Sequence, residues 1–469
     1  MERKPDWLPG FPVQIYCNSK EQRRQRMISE PLLPLIIKMA IPTMLGMMVT
    51  VIYNLADTFW VGQLDNKSMT AAIGVAFSFV SLIQALGFWF GYGSGNVMSR
   101  ALGAKNDTEA QIISSDGVAL AVGAGIILTL IGYPFARPFA AFLGGNASEQ
   151  LLLYSTDYLK IMLLAIPFSL FSTTVYNQFR LCGNVKDAMI GLLIGMAANM
   201  ILDPILIFGF QMSIVGAGWA TLIGQVLSCV YFFIHSHTQG NIPVSLLYVS
   251  FKKKRLYHIF AGGAPNFARE GITGITSVAL NQVAAGFGET VIAALTVSAR
   301  IAAIGYMLMI GFGQGFQPIC AINFGAKQYD RVKKAFWMTV KIGTALMIVS
   351  AVFLAIFAPQ LAGLLSTDLE VIAIASLILR LQCISFPLLG FYAVSSMYMQ
   401  NVGQYFRALL ISISRQGIFY FPLLFLLTAL WKQTGLYILQ PLSDVISAGL
   451  AIIIIKKYRF PNVSIRENH

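Results

Sequence analysis

Apolar residues recur along this chain in runs of helix length, separated by short polar segments. Twelve such runs fall near 35–62, 70–99, 117–142, 150–178, 188–211, 215–235, 259–286, 291–322, 334–362, 370–398, 405–430 and 434–455. Runs this long predict membrane-spanning helices. The longest polar gap, His235 to His258, holds Lys252, Lys253, Lys254 and Arg255 and divides the runs into two sets of six. Basic residues gather in alternate connections: Arg23, Arg24 and Arg26 before the first run, then Arg100 and Lys105, and Arg180 and Lys186. Lys327, Arg331, Lys333 and Lys334 follow, then Arg407, and finally Lys456, Lys457 and Arg459. Such alternation predicts that every basic connection, and both termini, face the cytoplasm. The expected fold is an all-α polytopic membrane protein with twelve transmembrane helices. Its expected parts are a tail (1–30), a first lobe (31–235), a cytoplasmic linker (236–258), a second lobe (259–457) and a tail (458–469).

The two halves resemble each other. "GYGSGNVMSRALGAK" (91–105) matches "GFGQGFQPICAINFGAK" (311–327), each near the end of the second run of its half. Pro42 answers to Pro265, Pro167 to Pro387, Gly183 to Gly403 and, approximately, Pro204 to Pro422. Six spans separate the copies, so they share an orientation. This is a parallel repeat about an axis along the membrane normal, an arrangement that places a cavity between two lobes. The GxGxG stretches lie inside apolar helices with no strand before them, so they read as small-residue packing sites rather than nucleotide loops.

Composition supports the same class. Hydrophobic residues make up 56% and charged residues 11%, where a soluble domain carries about a quarter charged. The net charge of +13 sits in the connections as a topology signal, so no nucleic-acid partner is expected. The first 25 residues lack the apolar core of a cleavable signal peptide. Cys17, Cys182, Cys229, Cys320 and Cys383 are scattered without metal spacing, and the histidines form no cluster, so neither metal nor cofactor is expected.

Against this background, acids inside the spans stand out, because an ionised carboxylate in hydrocarbon needs a partner, a proton or a wet cavity. Asp57, in "NLADTFWVG", lies about 8 Å inside the first span, and Asp203, in "NMILDPILIFG", about 12 Å inside the fifth. Asn199 is one turn deeper than Asp203 on the same face. Tyr158 in the fourth span and Thr221 in the sixth fall at similar depth. Pro204 follows Asp203 and marks a hinge with a freed carbonyl. Two carboxylates in one low-dielectric layer resist joint ionisation, which makes a site for one proton or for a sodium ion. A static hydrogen-bonded knot is the alternative. The second half has Leu280 and Phe421 near the positions of the two acids. It carries Glu270, Arg300, Arg380, Arg415 and Asp444 instead. These read as interhelical ion pairs, with Glu270 a second candidate acidic site. Arg269 and Glu270 are neighbours that point apart, so each is expected to need another partner.

Several of these stretches carry a family resemblance. "IP…YNLADTFWVGQL", "SRALGAK", "NMILDPILIFG", "GAGWAT" and "GFGQGFQPICAINFGAK" resemble the patterns of the multidrug and toxic compound extrusion (MATE) family over about 31–457. The resemblance implies a non-enzymatic exporter of amphipathic, often cationic small molecules, driven by inward flow of protons or sodium ions. It implies a monomer in the cytoplasmic membrane. It places the family's cation-site residues on Asp57, Asn199, Asp203 and Thr221, with Tyr158 a looser match. An acid early in the seventh helix falls on Glu270. Its usual partner in the tenth helix is missing, since Arg380 is the charged residue there. A lipid-linked oligosaccharide flippase of the same superfamily is the alternative function, and Arg300, Arg380 and Arg415 are what would serve it. An intramembrane enzyme would need a larger outer domain or a metal-bearing loop than this sequence provides.

Overall fold

The computed structural model describes residues 13–63, 67–238, 241–458 and 460. The chain is helical almost throughout. An N-terminal helix, α1 (Val13–Ser29), leads into the first lobe: α2 (Leu32–Gly62), α3 (Lys67–Gly103), α4 (Asp107–Gly132), the short α5 (Ala136–Phe142), α6 (Glu149–Leu181), α7 (Val185–Pro204) and α8 (Ser213–Ser236). After the linker come α9 (Lys253–Ala285), α10 (Glu289–Gly325), α11 (Tyr329–Ile356), the short α12 (Ala358–Gly363), α13 (Leu369–Asn401), α14 (Tyr405–Ile413) and α15 (Tyr420–Tyr458). Among the described residues, ten stretches are long and apolar enough to cross a membrane, the last being Tyr405–Tyr458. That stretch turns back at Lys432 (φ 50°, ψ −129°) and so supplies two spans. α9 is 33 residues long despite its charges, which completes twelve spans in two lobes of six.

Two spans are shifted at both ends relative to the reading of the sequence, and the seventh starts at Lys253 rather than near 259. The third span begins at Asp107 rather than near residue 117 and stops at Gly132. The ninth begins at Tyr329 rather than near 334 and stops at Ile356. A short helix completes each run. A proline lies at each break, Pro134 in one and Pro359 in the other, and it lacks the N–H that would continue the helical ladder.

The repeat shows in local geometry as well. Both Gly-Ala-Lys turns end a helix with a lysine in the left-handed region, Lys105 at φ 62° and Lys327 at φ 60°. Gly183 (φ 84°) and Gly403 (φ 83°) turn the chain at matching places, a conformation open to glycine at little cost.

The lobes meet through glycines. A Cβ on Gly93 would stand 2.0 Å from the Ile259 carbonyl oxygen, and one on Gly315 2.6 Å from the Ala40 Cα. Gly103 faces the Ile322 carbonyl at 2.1 Å, and Gly325 faces the Arg100 carbonyl at 2.1 Å. Thr43 adds a hydrogen bond of 2.6 Å to the Gly311 carbonyl across the seam. All these approaches lie in the half of each helix nearer the basic connections: 40–43 of α2, 93–103 of α3, residue 259 of α9 and 311–325 of α10. Toward the opposite end the first lobe has a core of its own, built from Ala72, Ala76, Phe79, Leu159, Met162, Ile166 and Ile207 with no second-lobe residue in it. The small-residue reading of the GxGxG stretches therefore holds: Gly93, Gly311 and Gly315 pack the seam between lobes, and Gly91, Gly95 and Gly313 pack helices within their own lobe.

Candidate functional site

In the first lobe α7 and α8 cross closely, because a Cβ on Gly224 would sit 2.6 Å from the Gly195 carbonyl oxygen. That approach brings Asn199 against Thr221. The Asn199 amide nitrogen donates to Thr221 Oγ1 at 3.0 Å, and the Thr221 hydroxyl donates to the Ala217 carbonyl at 3.1 Å. Asn199 Oδ1 is buried and has no hydrogen-bond partner among the described residues. Asp203, one turn along α7, is 0% exposed, and Tyr158 on α6 is buried as well. α7 ends at Pro204, and a π turn (Ile205–Gly209) follows. Proline cannot donate to the helical ladder, and a widened turn relieves the strain.

The structure thus joins Asn199 to Thr221 and buries Asp203 and Tyr158 in the same lobe. The side chain of Asp57 lies outside the described residues. Its helix, α2, touches α7 where Gly46 faces Leu192. Lys160 is occupied by Asp157 at 3.7 Å, as their spacing of three anticipates.

The second lobe is different. Asp444 on α15 is 2% exposed and fully engaged. Its Oδ1 accepts from Arg415 Nε at 2.6 Å and from Gln440 Nε2 at 2.7 Å, and its Oδ2 accepts from Ser385 Oγ at 2.7 Å. The Arg415 guanidinium also stacks 4.7 Å over Tyr306. Arg415 and Asp444 therefore form the interhelical pair that was expected. Glu270 corrects an expectation: it bonds its neighbour Arg269, Oε1 accepting from Nη2 at 2.9 Å and Nε at 3.3 Å. The Cα–Cβ directions of adjacent helical residues diverge, but the long guanidinium arm folds back across the gap. Arg300 and Arg380 are exposed, and Arg380 donates to the Ala355 carbonyl at 3.2 Å. The three arginines that would serve a pyrophosphate each go a separate way.

Two basic residues read from the sequence as markers of the connections are built into the seam. Arg180 on α6 is 0% exposed. Its Nη1 donates across the lobes to the Gln314 carbonyl at 3.0 Å and to Gln317 Oε1 at 2.7 Å, and its Nη2 to Asn177 Oδ1 at 3.0 Å. The guanidinium lies 4.9 Å over Tyr92, whose hydroxyl accepts from Gln314 Nε2 at 3.0 Å. Arg100 on α3 donates to the Asn401 carbonyl at 2.8 Å and to the Tyr405 hydroxyl. A charge out of water needs such donors' partners around it. The polar run Asn177, Gln178 and Arg180 at the end of its span is the one local hint, and it does not name the partners.

A helical bundle of two repeated lobes, closed at its basic end and holding a polar layer inside one lobe, defines a multi-pass membrane transporter. The MatE family profile matches residues 42–205 and 272–426, and the chain belongs to that family of efflux transporters. It is 30% identical over 439 residues to the multidrug export protein MepA of Staphylococcus aureus (strain NCTC 8325 / PS 47), covering 93% of this chain and 96% of the relative. It is 29% identical over 421 residues to MepA of Staphylococcus haemolyticus (strain JCSC1435), covering 90% and 92%. A solved structure of an outward-facing multidrug resistance MATE family transporter superposes with a TM-score of 0.86 at 23% identity, covering 92% of this chain and 96% of that one. That likeness bears on the fold.

Proposed function

We propose that this protein exports amphipathic, often cationic small molecules across the cell membrane by cation-coupled antiport, with its basic end in the cytoplasm. The positive-inside rule supports that orientation. The one observation that carries the proposal is the asymmetry of closure. The lobes meet along the basic half of their helices, while the buried layer of Asn199, Asp203 and Thr221 sits within a single lobe. Such a layer takes up a proton or a sodium ion when the far side is open. Asp57 and Asp203 supply the negative charge, and Asn199, Thr221, Tyr158 and the carbonyls freed near Pro204 supply further oxygens. Uptake neutralises the layer, Pro204 and the π turn let α7 bend, and the substrate leaves. One inward unit charge contributes about 2.3 kcal/mol per 100 mV, or roughly fiftyfold in substrate gradient. The names of the MepA relatives support a multidrug substrate range.

Ethidium efflux from cells tests this, with pH and sodium gradients imposed separately on wild type, Asp57→Asn and Asp203→Asn. Efflux under one gradient, abolished in both variants at normal expression, is the expected result and names the ion. Wild-type efflux by both variants sinks the coupling role of the layer.

A further inference from the structure

Each half of the chain enters its first span through a lead-in segment, and both lead-ins bind the lobe they do not belong to. α1 ends one turn before α2, yet its last turn is held by the second lobe. The Met27 carbonyl accepts from Asn323 Nδ2 of α10 at 2.9 Å and from Arg331 Nη2 of α11 at 3.2 Å. Arg331 also donates to the Glu30 carbonyl. On its other side α1 touches the first lobe. The Met27 side chain is 1% exposed and fills the space over Gly183, where a Cβ would lie 2.4 Å from its Cε. Arg23 donates to Asn241 Oδ1 at 3.1 Å, and Asn184 donates to the same oxygen at 2.7 Å.

The second lead-in mirrors the first with the charges reversed. The segment before α9 is held by α4 of the first lobe. Asp116, 0% exposed, accepts from the Ser250 amide at 2.8 Å and the Phe251 amide at 3.3 Å. Arg255, in the first turn of α9, reaches Glu109 at 2.8 Å and Asp116 at 3.4 Å. In both halves, then, the third span of one lobe clasps the backbone leading into the first span of the other. Arg331 does so from α11 and Asp116 from α4.

We propose that these two lead-ins are crossed straps that set how long the basic end stays closed. The inference rests on the alternating-access reading above. Parting the lobes at this end separates Gly183 from Asn323 and Arg331, and Asp116 from the start of α9, so both straps must let go. A charge-assisted hydrogen bond of this kind is worth about tenfold in a two-state equilibrium. The straps lie far along the helices from Asp203 and act on the balance between states rather than on the bound ion.

Cys320 supplies the reporter. It is 0% exposed in α10, in the stretch between the seam glycines Gly315 and Gly325, so a reagent reaches it when the seam parts. In a protein keeping Cys320 alone, with Cys17, Cys182, Cys229 and Cys383 replaced by serine or alanine, labelling by a membrane-permeant maleimide is timed. Arg331→Ala and Asp116→Asn should each label about tenfold faster, and the double variant by roughly the product, because the straps are separate. Unchanged or slower labelling in correctly folded variants overturns the proposal. If Asp116→Asn fails to fold, Arg331→Ala decides alone, since it removes one half-buried anchor of α1. The two readings fail separately. Efflux that survives Asp203→Asn defeats the coupling role and leaves the labelling contrast standing, whereas a missing contrast with intact coupling defeats the straps.

Discussion

The two lobes share a fold and a repeat, yet they set a buried carboxylate among different side chains. In the second lobe Asp444 has an arginine, a glutamine and a serine on its two oxygens. In the first, Asp203 is just as deeply buried and stands one turn from Asn199, whose amide donates to the Thr221 hydroxyl. A carboxylate locked to a buried guanidinium fixes helices and holds one charge state. A layer of carboxylate, amide and hydroxyl oxygens matches what a proton or sodium ion asks for. The repeat supplies two frames, and the antiport proposed above places the exchangeable cation in the first.

The comparison breaks most sharply at the two aspartates. Asp203→Asn should abolish gradient-driven ethidium efflux while the melting temperature in detergent stays near wild type. Asp444→Asn should do the reverse in kind, lowering stability by about 3–5 kcal/mol because Arg415 is left buried without its partner. Replacing both, as Arg415→Met with Asp444→Leu, should return most of that stability, read by thermal unfolding; a double variant as unstable as the single would show that the pair does more than pack. A smaller effect is expected at Thr221→Val, which takes away the acceptor of Asn199 and one oxygen of the layer. The concentration of coupling ion at half-maximal efflux should rise about tenfold. Smallest of all is Glu270→Gln. Its partner is its own neighbour and its side chain is 38% exposed, so efflux should stay within about threefold of wild type, in line with the weak energetics of exposed pairs. Complete loss of efflux in Glu270→Gln, with Asp203→Asn active, would move the coupling site to the second lobe.

Much of the architecture was legible in the sequence because bilayers impose strong rules. Span length, basic alternation and the GxGxG copies led to twelve spans and a parallel repeat, and the small-residue reading of those glycines matches their close packing within and between the lobes. Grouping Asn199 with Thr221 followed from depth alone, and a hydrogen bond joins them. What stayed hidden depends on partners distant in the chain. Arg100 and Arg180 have the sequence context of ordinary interface cations, and nothing local says that Asn401 or Gln314 will close over them. Arg269 and Glu270 were misjudged because backbone direction was used to place side chains long enough to fold back. The spans ending before Pro134 and Pro359 were overrun because their apolar character continues past the break.

The seam itself has a mechanical consequence. Gly103 rests on the carbonyl of Ile322, and Gly325 rests on the carbonyl of Arg100, each at 2.1 Å from where a Cβ would stand. The two bearing surfaces are copies of each other. In the alternating-access reading proposed above, two lobes that bear on matched points have no fixed part and no moving part; each is the anvil for the other.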